Sequence, residues 1–195
     1  DYAEYELPTM GSVELIATYE PLTTEEQSAH SYHPVKVNEV SASNSVFVNE
    51  LAKKDDWIEL YNTTSEPYDV AGMYLSDDVK KPLKFQIEGG EGINTVIPPY
   101  GHLIVGASKR NQASQLHANF KLSAADSAYV LLTSADELWS DTLVYCLHNG
   151  DESVGLYPDG GPDCYVFSKP TPGKTNLMTS QSLAYEEYEL PEILI

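Results

Sequence analysis

Positive charge is what this 195-residue chain most lacks: eleven Lys and Arg stand against thirty Asp and Glu, a formal net charge of −19 at pH 7. Binding to phosphate backbones rests on cationic neutralisation, and anionic membranes attract basic clusters in the same way. Nucleic acid and anionic lipid are therefore excluded as expected partners. No stretch approaches the run of about 18 apolar residues that spans a bilayer. Residues 1–20 contain neither Lys nor Arg and no compact apolar block, so they are not an intact signal peptide. Cysteine is scarce as well. Cys146 and Cys164 form no Cys-x-x-Cys pair and cannot build a structural zinc site by themselves. Either they join neighbouring strands in one disulfide or they stay as small buried thiols; their number leaves both open.

The acids that are present sit unevenly. Residues 1–34 hold seven and residues 177–195 hold four, with no Lys or Arg in either segment, which leaves −8 on residues 35–176. This divides the chain into an acidic N-terminal arm (1–34), a central domain (35–176) and an acidic C-terminal linker (177–195). Acidic surfaces of this kind keep an extracytoplasmic module soluble. The two arms also share a sequence: residues 2–8 read Tyr-Ala-Glu-Tyr-Glu-Leu-Pro and residues 185–191 read Tyr-Glu-Glu-Tyr-Glu-Leu-Pro. A linker repeated on both sides predicts a unit flanked by further domains in a longer protein.

Between the arms the pattern is strand after strand. Val35–Val40, Trp57–Tyr61, Met73–Ser76, Leu83–Ile87, His102–Gly106, Tyr129–Thr133, Thr142–Cys146 and Cys164–Phe167 are short, rich in β-branched and aromatic residues and partly alternating. In the second of these, Ile58 and Leu60 point one way while Trp57, Glu59 and Tyr61 point the other. Turn sequences separate them, among them Glu88–Gly92, Pro98–Gly101, Ser134–Glu137 and Pro158–Pro162. About eight short strands at this spacing predict a sandwich or barrel. In the N-terminal arm, Val13–Tyr19 is strand-like enough to pair with an exposed sandwich edge. Thr23–Gln27 has the form of a short helix start.

Catalytic sets are weak. Asp55, Asp56, Glu59, Asp77 and Asp78 make two acidic clusters, but they flank strands, where charges commonly face water, and no Asp-x-Asp-x-Asp-Gly loop accompanies them. His30 and His33 lack an acid between them, so the helical zinc-protease spacing is missing. Ser123, Ser127 and Ser153 have no Gly-x-Ser-x-Gly elbow, and Gly89–Gly92 is not followed by the Gly-Lys-Ser/Thr of a phosphate loop. Neither catalysis nor a metal or other cofactor is expected.

The order of fragments carries more. Val37-Asn-Glu-Val40, Asp56-Trp-Ile-Glu-Leu-Tyr-Asn62, Val70-Ala-Gly-Met-Tyr-Leu-Ser-Asp77, Pro98, Gly101, Ala118-Asn-Phe-Lys-Leu122, Ser153-Val-Gly-Leu-Tyr-Pro-Asp-Gly160 and Pro170-Thr-Pro-Gly-Lys-Thr-Asn176 together resemble the lamin tail domain. The resemblance runs from about Val35 to Asn176 and implies an all-β, immunoglobulin-like β-sandwich. The bacterial copies in exported or surface proteins of the spore-coat CotH type are the most similar. This implies an extracellular or cell-surface location and a non-catalytic module for attachment or protein recognition. One departure stands out: Leu156 occupies a place where family members often have Arg.

The motif positions are Asn38, Glu39, Trp57, Glu59, Asn62, Gly72, Ser76, Asp77, Phe120, Leu122, Gly155, Asp159, Gly160, Pro172, Gly173 and Asn176, and structural roles are expected for them. Trp57 would fill the sandwich interior. Asn38 and Asn62 would bond backbone groups at strand ends. Gly72 suits a bend and Gly155 a bulge or close strand approach. Asp159-Gly160 makes a tight turn, and Thr171-Pro172-Gly173 sets the chain's exit. The 14 tyrosines support a second reading. If exposed together, Tyr61, Tyr68, Tyr74, Tyr100, Tyr157 and Tyr165 would form a glycan-contacting strip. A third reading makes the chain the non-catalytic part of an enzyme whose catalytic domain lies outside it.

Overall fold

The computed structural model describes residues 2–6, 14–18, 33–110, 116–125, 127–179 and 183–184. These belong to two units, Asp1–Tyr32 and His33–Ile195. In the first, β1 (Tyr2–Glu6) pairs antiparallel with β2 (Glu14–Thr18). The strand-like stretch of the N-terminal arm thus takes a hairpin partner within its own unit. A partner a few residues away closes a smaller loop at lower entropic cost. The helix start read at Thr23–Gln27 lies outside the described residues.

The second unit contains β3 (Val35–Ser41), β4 (Asp56–Asn62), β5 (Tyr68–Asp69), β6 (Tyr74–Ser76), β7 (Phe85–Gln86), β8 (Val96–Ile97), β9 (His102–Ala107), β10 (His117–Ala118), β11 (Ser127–Thr133), β12 (Ser140–Cys146), β13 (Ser153–Tyr157), β14 (Asp163–Phe167) and β15 (Leu183–Ala184). A seven-stranded sheet has the order β10-β9-β4-β3-β13-β14-β15, and a four-stranded sheet the order β12-β11-β6-β7; β5 and β8 form a small ladder of their own. Among the described residues every element is a strand. The architecture is the expected all-β, immunoglobulin-like sandwich.

One irregularity organises the larger sheet. Val37 stands opposite Leu60 and Glu39 opposite Glu59, so Asn38 is the extra residue of a β-bulge. The bulge resets the alternation of β3: Val35 and Val37 before it, and Val40 and Ala42 after it, all join the core. Ile58 and Leu60 face them from β4, and Leu75, Val130, Leu132, Leu143 and Tyr145 belong to the same apolar cluster from the second sheet. Glu39, Ser41, Trp57 and Glu59 are left on the outer face.

That corrects the place read for Trp57. It is 1% exposed, yet it lies outside the central apolar cluster. The 43–55 loop packs on it instead, with Phe47 edge-on at 5.9 Å. Alternation along β4 allows nothing else, since Ile58 and Leu60 already occupy the inner face. A further strand, β13, hidden in the sequence by its turn-rich surroundings, lies between β3 and β14. Cys146 and Cys164 are free thiols, and burial followed by the nearby Cys146 pushes Cys164 up to about 12.

Candidate functional site

The outer face of the larger sheet holds two constructions side by side: a buried carboxylate network and a cleft.

Glu39 and Glu59 are direct cross-strand partners, and both are fully buried. Like charges in that position repel, and removing either from water is costly. The notion that acids near strands face water therefore fails for Glu59, and also for Asp56, which is 9% exposed. Donors from three directions surround the pair. Asn38 Nδ2 donates to Glu59 Oε1 (2.9 Å) and Asp159 Oδ1 (3.1 Å), while its own Oδ1 accepts the Gly160 N–H at 2.9 Å. The Gly173 N–H reaches Glu59 Oε2 at 2.7 Å. Glu39 Oε1 accepts from Ser153 Oγ and from the Thr171 N–H (3.1 Å). His102 Nε2 lies 3.1 Å from Asp159 Oδ2, and the Asn176 N–H donates to Asp159 Oδ1 at 2.9 Å.

The hydrogen bonds locate a proton. Thr171 Oγ1 lies 2.9 Å from Glu39 Oε2 and 2.8 Å from Asn176 Oδ1. Asn176 turns its Nδ2 to the Leu156 carbonyl at 2.8 Å, so its Oδ1 is an acceptor. A hydroxyl has one proton to give. Both contacts are satisfied only when Glu39 Oε2 itself carries a proton and donates to Thr171. Burial raises Glu39 above the ordinary carboxylate range in agreement. Burial, then the charge of Glu39, pushes Glu59 up to about 9; a neutral Glu39 removes the second contribution. For Asp159 burial acts upward too, but hydrogen bonds from His102, Asn176 and Asn38 outweigh it and hold the carboxyl low. All six carboxylate oxygens are occupied by protein groups, so the network holds the fold and offers no face to a substrate or ion.

Local sequence builds this arrangement. Pro172 and Gly173 (φ +75°) occupy the centre of a turn closed by Lys174 N–H to the Thr171 carbonyl at 2.9 Å, which aims the Gly173 N–H at Glu59. Asp159 and Gly160 (φ +66°) form a second turn, closed by Gly161 N–H to the Pro158 carbonyl. Gly155 lies opposite Glu39, where an added Cβ would come within 2.6 Å of the Asn38 carbonyl. Asn38 thus sits at a bulge and not at a strand end, and it bonds side chains as well as backbone. Asn62 does bond backbone, donating to the carbonyls of Glu66, Ile97 and Pro98.

The remaining motif residues are placed elsewhere. Gly72 has φ +86° in the bend before β6. Ser76 Oγ both accepts from the Asp78 N–H and donates to its carbonyl. Asp77 pairs with Lys84, whose Nζ lies 5.2 Å from the centre of the buried Phe120 ring. Leu122 and Leu156 belong to the core, so the departure at 156 puts an apolar side chain inside. The tyrosines are dispersed. Tyr74 is on the smaller sheet, Tyr68 on the short ladder, and Tyr61, Tyr157 and Tyr165 on three strands of the larger sheet. Of the six named, only Tyr100 (58%) and Tyr157 (37%) are exposed, which is no strip. His33, one of the linker histidines, stacks on Trp139 at 5.1 Å.

Beside the network lies a cleft of about 270 Å³ whose lining includes Phe47, Asn49, Glu50, Asp55, Trp57 and Ile93. Sequence reading missed it, because four stretches far apart in the chain meet there. Behind its wall runs a chain of contacts: Ser108 Oγ to His117 Nδ1 at 2.8 Å, and His117 Nε2 to Glu50 Oε1 at 2.6 Å. The order superficially matches a nucleophile, base and acid. However, Ser108 is 5% and His117 1% exposed, whereas the Glu50 side chain is 55% exposed. The would-be nucleophile is sealed inside and the acid faces solvent, the reverse of a working hydrolase. The Arg110 N–H donates to Ser108 Oγ at 3.3 Å, which directs the serine proton to Nδ1 and leaves Nε2–H for Glu50. Its effect is to fix Glu50 at the cleft mouth.

A family model described as Lamin Tail Domain matches residues 30–159. No curated protein and no solved structure matches the chain. The matched span ends at Asp159, so the turn at 171–174 and Asn176 complete the carboxylate network from beyond it.

Proposed function

Because the chain belongs to the lamin tail domain family, an immunoglobulin-like, non-enzymatic and interaction-related class, we propose that it is an attachment and recognition module of a larger exported protein. The observation that carries the reading is the division of labour on the outer sheet face. The reactive groups there, Glu39, Glu59, Ser108, His117 and the side chain of Asp159, are buried and bonded to other protein groups, whereas the neighbouring cleft is open. We place the module on the surface of a bacterial cell, in a protein of the CotH kind, with further domains on either side. The acidic arms and their repeated linker sequence support this placement, and it holds whether or not the parent protein carries a catalytic domain elsewhere. A glycan-binding role finds less support. The Trp57 ring is covered, and of the six tyrosines only Tyr157 and Tyr165 make a ring contact with one another, edge-on at 6.3 Å, which leaves no continuous stacking face.

The test is photo-crosslinking in the parent protein within its native cell. A photoreactive residue at Val48, on the cleft rim, is expected to give a discrete protein adduct, and one at Lys81, on the opposite sheet's connection, none. Absence of a protein adduct, together with saturable binding of labelled oligosaccharides by the isolated chain, would overturn the reading.

A further inference from the structure

Resting on that reading, the cleft's own chemistry narrows the partner. Among the described residues its lining includes three acids, Glu50, Asp55 and Asp56, and no Lys, Arg or His. Two of the acids are committed. Asp55 takes both Arg110 guanidinium nitrogens at 2.9 and 3.2 Å, and Asp56 accepts the backbone N–H groups of Ser43 and Leu122. Glu50 differs: one oxygen meets His117, and nothing among the described residues bonds the other. Lys53 and Lys54 are exposed on the same loop but stand outside the lining. The mouth of the cleft therefore presents one fixed, uncompensated carboxylate.

A second observation is independent of charge. Trp57 forms part of the cleft wall, and its Nε1–H is the one buried side-chain polar atom without a hydrogen-bond partner among the described residues. An orphaned buried donor costs about 1–3 kcal/mol, which an arriving carbonyl oxygen would recover once the covering loop shifts. Beside Phe47 on that loop, Val46 and Val48 are 48% and 52% exposed and offer an apolar shelf. At about 270 Å³ the cleft falls just under the roughly 300–1,000 Å³ of small-molecule pockets, suited to a side chain with its adjoining backbone.

We propose that this cleft takes a Lys- or Arg-bearing segment of a partner protein, its cation on Glu50, a backbone carbonyl on Trp57 Nε1–H and a neighbouring apolar side chain on Val46 and Val48. A second copy of this chain is a poor occupant, since two surfaces of net charge −19 repel. An oligosaccharide lacks the cation that the free oxygen of Glu50 would hold.

The experiment uses the full chain with Trp139→Phe, so that Trp57 is the only indole. The probes are acetylated, amidated pentapeptides with central Lys and Arg, matched peptides with central Glu and Asp, and chitin and cellulose oligosaccharides. The basic peptides are expected to shift the indole N–H resonance and emission saturably, more weakly as salt rises. Glu50→Gln, which keeps an acceptor for His117, should weaken them about tenfold, and Val48→Lys should do the same from the rim. Equal responses to acidic peptides, indifference to both substitutions, or silence with basic peptides would each overturn the proposal. In all three cases a Val48 adduct in the cell would leave the module reading standing. Loss of that adduct together with saturable binding of the oligosaccharides overturns the reading itself.

Discussion

At the scale of single residues, Glu39 and Glu59 look interchangeable and are not. Glu39 gives a proton to Thr171 through one oxygen and accepts through the other, a pattern a Gln side chain reproduces. Glu59 accepts through both oxygens, from Asn38 and from Gly173, so an amide there would set a donor against a donor. Glu39→Gln should therefore fold and be more stable than the native chain at pH 8, where the native carboxyl holds its proton against solution. Glu59→Gln should lose about 2–3 kcal/mol, the cost of a buried unsatisfied group. Urea unfolding of both variants checks this; equal losses would refute the proton assignment. Nothing in the sequence marked the pair as buried, although a clue to its setting was present. Val35 and Val37 are two apart and Val37 and Val40 three, and that break in alternation is what a bulge produces. Trp57 was legible as buried, but not as buried outside the core. Its alternation against Ile58 and Leu60 contained the answer, while its size suggested the interior.

At the scale of elements, β13 and the turn at 171–174 deserve comparison. β13 approaches β3 closely because Gly155 has no side chain opposite Glu39. Gly155→Ala would push a methyl carbon to 2.6 Å from the Asn38 carbonyl, a backbone atom that cannot swing aside. A loss of about 1–3 kcal/mol is expected from overpacking of this kind, and amide exchange should quicken in β3 and β13 before β11 and β12. Uniform exchange would argue that the two sheets unfold as one and that the close approach does not matter locally. The turn acts through its backbone: Pro172 and Gly173 present one N–H to a carboxylate that the sheet has buried. Turn chemistry was readable at Thr171-Pro-Gly173, but its target was not, because Glu59 lies 114 residues away in the chain.

At the scale of the whole molecule, the buried acids give stability a definite slope with pH. Glu39 holds a proton in the fold that the unfolded chain, near the ordinary value of 4.5, releases. Its contribution is complete below that value and is lost as pH rises through the raised value of the fold, at up to roughly 1.4 kcal/mol per pH unit. Asp159 acts oppositely, losing its contribution as pH falls through its lowered value. Denaturation midpoints should therefore peak near pH 5 (about the ordinary carboxylate value) and fall toward pH 9, and Glu39→Gln should flatten the decline. A midpoint constant from pH 5 to 9 would contradict the raised values.

The sequence by itself determined the fold class and most of the strands, since these follow from local alternation and turn chemistry. Tertiary structure alone decided that two glutamates meet in the dark, that Trp57 is roofed by a loop, and that Glu50 stands unpaired at the mouth of a cleft. Each depends on which distant segments share one face of a sheet, a pairing that register and a single bulge set and that no short window of sequence contains.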